Sequence, residues 1–402
     1  MRVLGVLLGL LLSAGAVQAL LGGRAPTGDE PAAALRARDV ARPHAAPMPL
    51  EGERRARVEA AIGRGVAHLL ATQNESGSWG SPASNLWDIY APVPGSYYAF
   101  EAAVTGLAVS ALLEAGGDDA KVEAAVRRGT DFLLARHAHA RRVSEDVLYN
   151  VWGHAYVLEA FARLLARETD PARREALTRG ADECVDLLAR FEYVDGGWGY
   201  YNFGITVRRP GHGATSFTTA TVLVALRMAA EQGIAVPPLL VERALALIEI
   251  SRKPDWAFAY SWEHRYYPQG GINKIKGSLA RTPACMLGMH RWGRPVPAAA
   301  ATAMFEHLED FGHFLLIARK YPRPHESWYQ NSGYFCFYGY YYATWMLDLV
   351  PASVREHHRN VIADALLPLQ EADGSWWDYQ LYSYHKPYGT SYVLMCLARC
   401  LR

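Results

Sequence analysis

The residues best suited to acid–base chemistry stand in short loops that are rich in aromatic side chains. His212 lies between two glycines, and the pair Glu263–His264 directly follows the stretch YSW. Imidazole and carboxylate groups exchange protons near neutral pH, so His212, Glu263 and His264 are the predicted catalytic residues. Arginines that would bind an anionic part of a ligand stand close by in the chain, at Arg208, Arg209 and Arg265.

Aromatic and polar side chains recur in five such segments, which favours one shared pocket. Concave pockets lined by aromatic rings with a few polar groups are the usual form of a small-molecule site. Taken singly, each Tyr or His has a simpler interpretation as a hydrogen-bonded core residue. The predicted ligand-binding residues are Trp152, His154, Tyr201, Arg208, Tyr260, Trp262, Glu326, His385 and Tyr388.

The five cysteines predict neither a metal site nor a disulfide framework. Their number is odd and no CxxC spacing occurs. Cys396 and Cys400 share one face of a helix, where such residues are usually buried small hydrophobes. One disulfide in an oxidising compartment is the alternative, and its pairing is open. We expect no metal and no cofactor.

The elements that must position these residues begin after an N-terminal export signal. Arg2 precedes the apolar run VLGVLLGLLLSAGAV, and Val17-Gln18-Ala19 follows as a cleavage site. We interpret residues 1–19 as a signal peptide and residues 20–50 as a disordered linker rich in Ala, Pro and Arg. An uncleaved anchor is the alternative, but the run is short for a span of about 20 residues. Cleavage leaves no stable membrane span, and no cysteine marks a lipoprotein, so we expect a secreted or periplasmic protein.

Composition excludes one class of partner. The chain has 402 residues, of which 41 are basic and 40 acidic, giving a formal net charge of +1. Nucleic-acid binding would require a concentrated basic face, so no such partner is expected.

Residues 51–402 alternate between two kinds of helix. One kind is amphipathic, as in ERRARVEAAIGRGVAHLLATQ, and buries a single face. The other is apolar nearly all round, as in AFEAAVTGLAVSALLEAG, and must be covered on all sides. The outer helices are predicted to begin near Arg54, Asp119, Asp170, Pro238, Pro297 and Ala352. Their inner partners are predicted to begin near Ala99, Asn150, Ala214, Arg281, Gly333 and Gly389.

Six such pairs could form an open solenoid or a closed ring. An open array needs a polar terminal repeat, and the last inner helix, ending MCLARCLR, has none. We therefore predict one all-α domain, an α6/α6 toroid in which the loops before the inner helices converge at one end of a central cavity.

A turn with Gln or Glu, glycine and tryptophan recurs along the chain. The spacing from Gln or Glu to Trp is six residues in each of three copies. Glycine permits positive φ after a helix, and the indole fills the wedge between successive hairpins, so the turn is predicted to be structural. Its marker residues are Gln73, Trp79, Asp195, Trp198, Gln370, Asp373 and Trp376. Trp256 and Trp328 are interpreted as degenerate copies.

These turns resemble those of the prenyltransferase and squalene-oxidase repeat superfamily, which contains terpenoid cyclases and protein prenyltransferases. The resemblance implies a toroid that acts on an isoprenoid ligand in its cavity. The known chemistries of that family are not matched, because no DxDD acid motif and no GCGEQ thioester segment occur. Where protein prenyltransferases hold zinc, this chain has Ser332, Tyr334 and Tyr392.

Three functions follow as hypotheses. The first is an exported toroid that binds or acts on a hydrophobic, isoprenoid-like ligand, whose cationic intermediates aromatic walls would stabilise. The second is a carbohydrate-active toroid, a polysaccharide lyase or hydrolase; a glycosidase would need two facing carboxylates. The third is a non-catalytic scaffold that binds a protein partner.

Overall fold

The computed structural model describes residues 50–83, 95–142, 144–202, 209–321 and 325–402. The predicted signal peptide, all but the last residue of the predicted linker, and Arg208 lie outside these ranges.

Within those ranges the chain forms six outer helices: α1 Gly52–Ala71, α3 Ala120–Arg136, α5 Pro171–Arg190, α7 Pro238–Ser251, α10 Ala298–Phe311 and α13 Ala352–Leu366. Six inner helices alternate with them: α2 Ser96–Ala115, α4 Asn150–Leu165, α6 Ser216–Ala230, α9 Arg281–Arg291, α12 Phe335–Trp345 and α14 His385–Cys400. Two short helices stand in the loops: α8 Ile275–Ser278 and α11 His313–Ala318.

The inner helices form a closed ring. Each packs against the next in chain order, from α2 through α4, α6, α9 and α12 to α14, and α14 packs against α2. The outer helices cover the outside of this ring. Inner helices are therefore buried on nearly all sides, which is why their sequences lack a polar stripe. The predicted α6/α6 toroid is confirmed.

Side chains from the two ends of the chain close the ring. Arg399 of α14 donates two hydrogen bonds to the carboxylate of Glu114 on α2, at 2.8 and 2.9 Å. Arg163 of α4 binds the same carboxylate at 3.0 Å and also binds Glu159 at 2.9 Å. The Glu114 side chain is only 3% exposed, so these charges are neutralised inside the protein.

The three tryptophan turns make identical hydrogen bonds. Each indole N–H donates to the carbonyl ten residues earlier, on Leu69, Leu188 or Leu366, at 2.7–2.9 Å. Each tryptophan backbone N–H donates to a threonine of the following inner helix, Thr105, Thr219 or Thr390, at 2.9–3.2 Å. All three indoles are fully buried. The turn thus joins an outer helix to the next inner helix.

The same turns also bind the outer helix of the next repeat. Gln73, Glu192 and Gln370 accept hydrogen bonds from arginines of α3, α7 and α1, respectively Arg128, Arg243 and Arg64. A Cβ added at the turn glycines, Gly77, Gly196 and Gly374, would lie 2.3–2.8 Å from the carbonyl oxygen of that same arginine. Their φ values of +83° to +92° also favour glycine.

Two predicted tryptophan copies are wrong. In the fourth turn the wedge position belongs to Phe258, which is fully buried and whose backbone N–H donates to Ser278 at 2.9 Å. Trp256 stands where the other turns have glycine, with a φ of +60°. Trp328 is 72% exposed and fills no wedge. The wedge residue of a turn is therefore identified by its position in the turn, and that residue need not be a tryptophan.

α2 is, by length and composition, the one described helix capable of crossing a membrane, but 72% of its apolar window is buried inside the ring. This degree of burial is typical of a helix in the core of a protein. All five cysteines are free and buried, and burial raises the thiol pKa of Cys285 and of Cys400 to about 12.

Candidate functional site

The ring encloses a cavity of about 1090 Å³. One stripe of each of several inner helices faces it. On α2 the stripe is Phe100, Ala103, Val104 and Leu107, which follow the spacing of one helix face. Tyr149, which directly precedes α4, and Trp152 and Tyr156 of α4 do the same. The described lining includes ten tyrosines, three phenylalanines and one tryptophan, so aromatic rings form most of the wall.

Many tyrosine hydroxyls of this wall are paired with one another. Tyr149 bonds to Tyr201 at 2.5 Å, Tyr200 bonds to Tyr260, and Tyr156 bonds to Tyr392. Each pair joins different repeats. Desolvation by burial raises the pKa of Tyr149, Tyr200 and Tyr156, so these three phenols stay neutral donors and acceptors. The paired tyrosines therefore give the wall polar atoms that are held in fixed positions.

The structure brings all the predicted acid–base residues to the cavity. His212, Glu263 and His264 all line it. The Nδ1 atom of His212 lies 3.7 Å from an oxygen of Asp195, and its side chain is 70% exposed. The Nδ1 atom of His264 lies 2.8 Å from the hydroxyl of Ser261. Burial, and then the charge of Arg281, lower the pKa of His264, so its imidazole is neutral at neutral pH and able to accept a proton.

His325 joins this group from another repeat. It lines the cavity, and its ring centroid lies 6.4 Å from that of Tyr260. The ring of His264 lies 5.1 Å from Tyr260 on its own side. Two imidazoles therefore lie close to one phenol, an arrangement suited to proton transfer to and from a small ligand.

Among the predicted ligand-binding residues, Trp152, Tyr201, Tyr260 and Tyr388 line the cavity. The rings of Trp152 and Tyr156 stack with centroids 6.0 Å apart and an interplanar angle of 14°. Trp152 thus presents a flat apolar platform. Arg208 lies outside the described residues.

His154 is a wrong prediction. It stands two residues after Trp152 on α4, on the opposite face of the helix, and is fully buried against Phe191 of the outer layer. Desolvation lowers its pKa to about 3. It is a neutral core histidine at neutral pH.

Trp262, Glu326 and His385 also lie outside the cavity lining. The Trp262 ring packs under the guanidinium of Arg265, with 3.8 Å from Cζ to the ring centroid. Glu326 is buried and accepts backbone N–H bonds from three residues of its own turn, at 2.6–3.2 Å. The Nδ1 atom of His385 lies 2.6 Å from the carbonyl of Tyr382, and its ring packs on Trp377. Each stabilises a loop that supports the wall.

Sequence reasoning missed several wall residues of the inner helices and of the loops next to them. The missed residues are Phe100, Ala103, Val104, Leu107, Tyr334, Phe335, Tyr338 and Tyr379. In a helix that is apolar all round, periodicity does not show which stripe faces the cavity and which faces the outer helices. The spacing of Tyr149, Trp152 and Tyr156 was the available signal, because it marks the cavity stripe of α4.

Asp378 stands directly behind the wall. It is fully buried; its carboxylate accepts the hydroxyl of Tyr388 and, at 3.0 Å, the backbone N–H of Phe337 in the first turn of α12. Burial raises its pKa to about 6 from a usual value of 3.8. Tyr388 is thereby held by a carboxyl group that does not itself touch the cavity.

We expect Asp378 to make the protein less stable as pH rises from about 4 to 6. The folded state holds this proton more tightly than the unfolded state, so the stabilisation is complete below pH 4 and is lost as pH passes the folded pKa. The raised pKa of Asp378 contributes about 3 kcal/mol to the free energy of unfolding at low pH. Urea unfolding of the wild type and of Asp378→Asn across this range measures it. An identical slope in both proteins would contradict the assignment.

One cluster outside the cavity has metal-binding residue types. Ligand atoms of Glu309 on α10 and of His357 and His358 on α13 lie within 4.8 Å of one another. In the structure, Nε2 of His357 lies 2.8 Å from the Glu309 carboxylate. The group links two outer helices and contributes nothing to the cavity.

No protein-family model matches the sequence, and no curated protein matches it. Solved structures do match. They include an inactive variant of an α-1,6-mannanase from Salegentibacter sp. in complex with α-1,6-mannotetrose, at TM-score 0.51 and 9% identity over 86% of this chain and 99% of that one. They also include an unsaturated glucuronyl hydrolase specific for heparin (0.53, 13%) and a D-mannose isomerase (0.50, 12%), each over 86% of this chain and 96% of theirs.

The shared fold is an α/α toroid. At 9–13% identity the likeness concerns the fold alone, and the resemblance to the prenyltransferase superfamily remains an interpretation of the sequence.

Proposed function

We propose that this protein binds a carbohydrate in the aromatic cavity and carries out proton-transfer chemistry on it there. The observation that carries the proposal is the cavity itself: about 1090 Å³ walled by aromatic rings, with His212, Glu263, His264 and His325 in its lining. Flat rings stack on the apolar faces of sugar rings, and the tyrosine hydroxyls supply hydrogen bonds. A mannanase, a glucuronyl hydrolase and a mannose isomerase use the same toroid, which supports a glycan ligand.

The lining favours histidine chemistry over two-carboxylate hydrolysis. Glu263 is the one carboxylate among the described residues that line the cavity, whereas glycosidases that use paired acids need a second facing it. Asp378 is separated from the cavity by Tyr388. Lyase or isomerase reactions need a base and an acid but no carboxylate pair, and the imidazoles of His264 and His325 supply both roles.

A hydrophobic, isoprenoid-like ligand is the second candidate. The observation that favours it is the stripe of α2, where Phe100, Ala103, Val104 and Leu107 give the wall no polar side-chain atom. Aromatic rings on the facing helices would also stabilise a carbocation. The family resemblance of the repeat turns agrees with this candidate.

The scaffold hypothesis gains no support from the cavity. A toroid that serves only as a protein-binding ring has no need of an open interior, and here side chains leave about 1090 Å³ unfilled. We therefore place the function inside the ring.

The test is a binding panel on the folded protein. Native mass spectrometry and isothermal titration calorimetry with neutral and acidic oligosaccharides, and with a long-chain isoprenoid alcohol, separate the candidates. Binding of an oligosaccharide supports the main proposal, and binding of the isoprenoid alone supports the second. Absence of any binding would overturn both.

Trp152→Ala is expected to weaken ligand binding about tenfold or more, because the stacked platform of Trp152 and Tyr156 is lost from a buried pocket. Calorimetry of the variant measures the change. Trp256→Ala is the matched control, since Trp256 lies in a turn outside the cavity lining. Equal loss in both variants would point to a global effect on the fold.

We also propose, from the N-terminal sequence alone, that this protein is exported from the cytoplasm. The N-terminal sequence of the mature protein, read from the exported fraction of a cell, tests it. Cleavage after Ala19 is the expected result, and an intact Met1 in a membrane fraction would favour the anchor.

A further inference from the structure

Arg281, the first residue of α9, is fully buried, and among the described residues no carboxylate pairs with it. Its guanidinium donates instead to the backbone carbonyls of Gly277, Phe258 and Ile272, at 2.5–3.1 Å. Arg399, another buried arginine, is neutralised by Glu114. Carbonyl groups accept from Nη1 and Nη2 of Arg281, and no described residue accepts from its Nε–H. The net positive charge therefore stays inside the protein without a counter-charge.

This charge lies directly behind one end of the cavity. The Cζ atom of Arg281 is 5.4 Å from the ring centroid of Tyr260, which lines the cavity and lies close to the imidazoles of His264 and His325. We call this place, formed by Tyr260, His264 and His325, the Tyr260 end.

The field at the Tyr260 end is positive. Burial lowers the pKa of Arg281 to about 10, so the guanidinium is charged at neutral pH. A buried charge is screened far less than a surface charge. Glu263, the acid of the same lining, is exposed, and water screens its carboxylate. The two histidines add no opposing charge.

The imidazoles of His264 and His325 each have a ring nitrogen for a ligand to contact. The Nδ1 atom of His264 pairs with Ser261 at 2.8 Å, and that of His325 pairs with the carbonyl of Gln330 and the hydroxyl of Ser332, both at 3.0 Å. Both rings are therefore oriented through Nδ1, which leaves the Nε2 atom of each for a ligand.

From this arrangement we infer that the ligand carries a single carboxylate, which binds at the Tyr260 end beside His264 and His325. One uncompensated buried cation matches one negative charge. The inference rests on the proposed function and names the substrate class within it: a carboxylated sugar, or, for the second candidate, a carboxylated hydrocarbon.

Paired probes test the charge separately from the ligand class. Glucuronate oligosaccharide and its amide form one pair, and a long-chain carboxylic acid and its alcohol form the other. For the pair that binds, we expect the carboxylate to bind at least tenfold more tightly than its neutral partner. The preference is expected to persist at about 0.5 M salt, because the cation behind it is buried.

Variants connect the preference to Arg281. Arg281→Met is expected to bind the acid and the neutral partner equally, and Arg281→Lys to keep part of the preference. Circular dichroism establishes whether each variant folds. If Arg281→Met does not fold, Arg281→Lys and the salt dependence of the wild type decide, since a preference created by exposed rim charges would disappear at high salt.

The outcomes separate this inference from the proposed function. Equal binding of acid and neutral partner by the wild type overturns the inference and leaves the proposed function standing. Binding of the long-chain acid alone supports the inference and overturns the carbohydrate assignment. A sugar phosphate that binds more tightly than the glucuronate would replace the carboxylate by a phosphate and so overturn the single-charge inference. No binding by either pair overturns both.

Discussion

Trp198→Ala is expected to lower the free energy of unfolding by about 3–5 kcal/mol. The indole is fully buried between α5 and α6, and its N–H donates to the carbonyl of Leu188 at 2.8 Å. Truncation therefore leaves a large cavity at the junction of two hairpins and removes one of two hydrogen bonds to the Leu188 carbonyl, which still accepts from the backbone N–H of Phe191 at 3.2 Å. Urea unfolding monitored by circular dichroism measures the loss.

The matched control is Trp328→Ala. Trp328 has the same residue type but is 72% exposed, so its removal should change the unfolding free energy by less than about 0.5 kcal/mol. A similar loss in both variants would mean that tryptophan content, and not the turn position, stabilises the ring.

Glu114→Ala is expected to cost about 3–5 kcal/mol, because it removes the shared partner of two arginines inside the closure of the ring. Arg399 would keep a buried charge with no carboxylate among its described partners, whereas Arg163 would retain Glu159. Burial alone would raise the pKa of Glu114, but Arg399 and Arg163 hold it below its usual value. Its contribution is thus present at neutral pH and is lost as pH falls through that lowered pKa.

Urea unfolding at neutral pH tests this second expectation. Glu242→Ala removes an ion pair of the same chemistry with Arg294, at 2.6 Å, in which the glutamate is 61% exposed; it should cost less than about 1 kcal/mol. A loss of that small size for Glu114→Ala would show that the closure does not depend on the buried network.

The architecture was predictable because two patterns agree. Amphipathic and wholly apolar helices alternate, and three turns repeat the same spacing up to Trp79, Trp198 and Trp376. The helix starts fall within a few residues of those predicted; Asn150 and Arg281 are the observed first residues of α4 and α9. Periodicity suffices where burial on one side or on all sides decides the pattern.

The site was predictable only in part, since the direction of a side chain depends on packing. His154 and Trp152 are two residues apart, yet one faces the outer layer and the other the cavity. Glu326 is of a residue type that often serves as a catalytic acid, but its carboxylate accepts hydrogen bonds from backbone N–H groups of its own turn. Phe258, and not a tryptophan, fills the wedge position of the fourth turn. None of these outcomes is encoded in residue type alone.

The contact of each tryptophan turn with the next outer helix has a consequence for how the protein can vary. The turn binds Arg64 or Arg128, and the neighbouring Gly65 or Gly129 leaves room for the indole. Such a head-to-tail contact closes only when the rotations of all the units sum to a full circle, about 60° each for six units. An open solenoid accepts an extra hairpin locally. Here an added or deleted hairpin would change the angle at every junction. The number of repeats and the diameter of the cavity can therefore change only together.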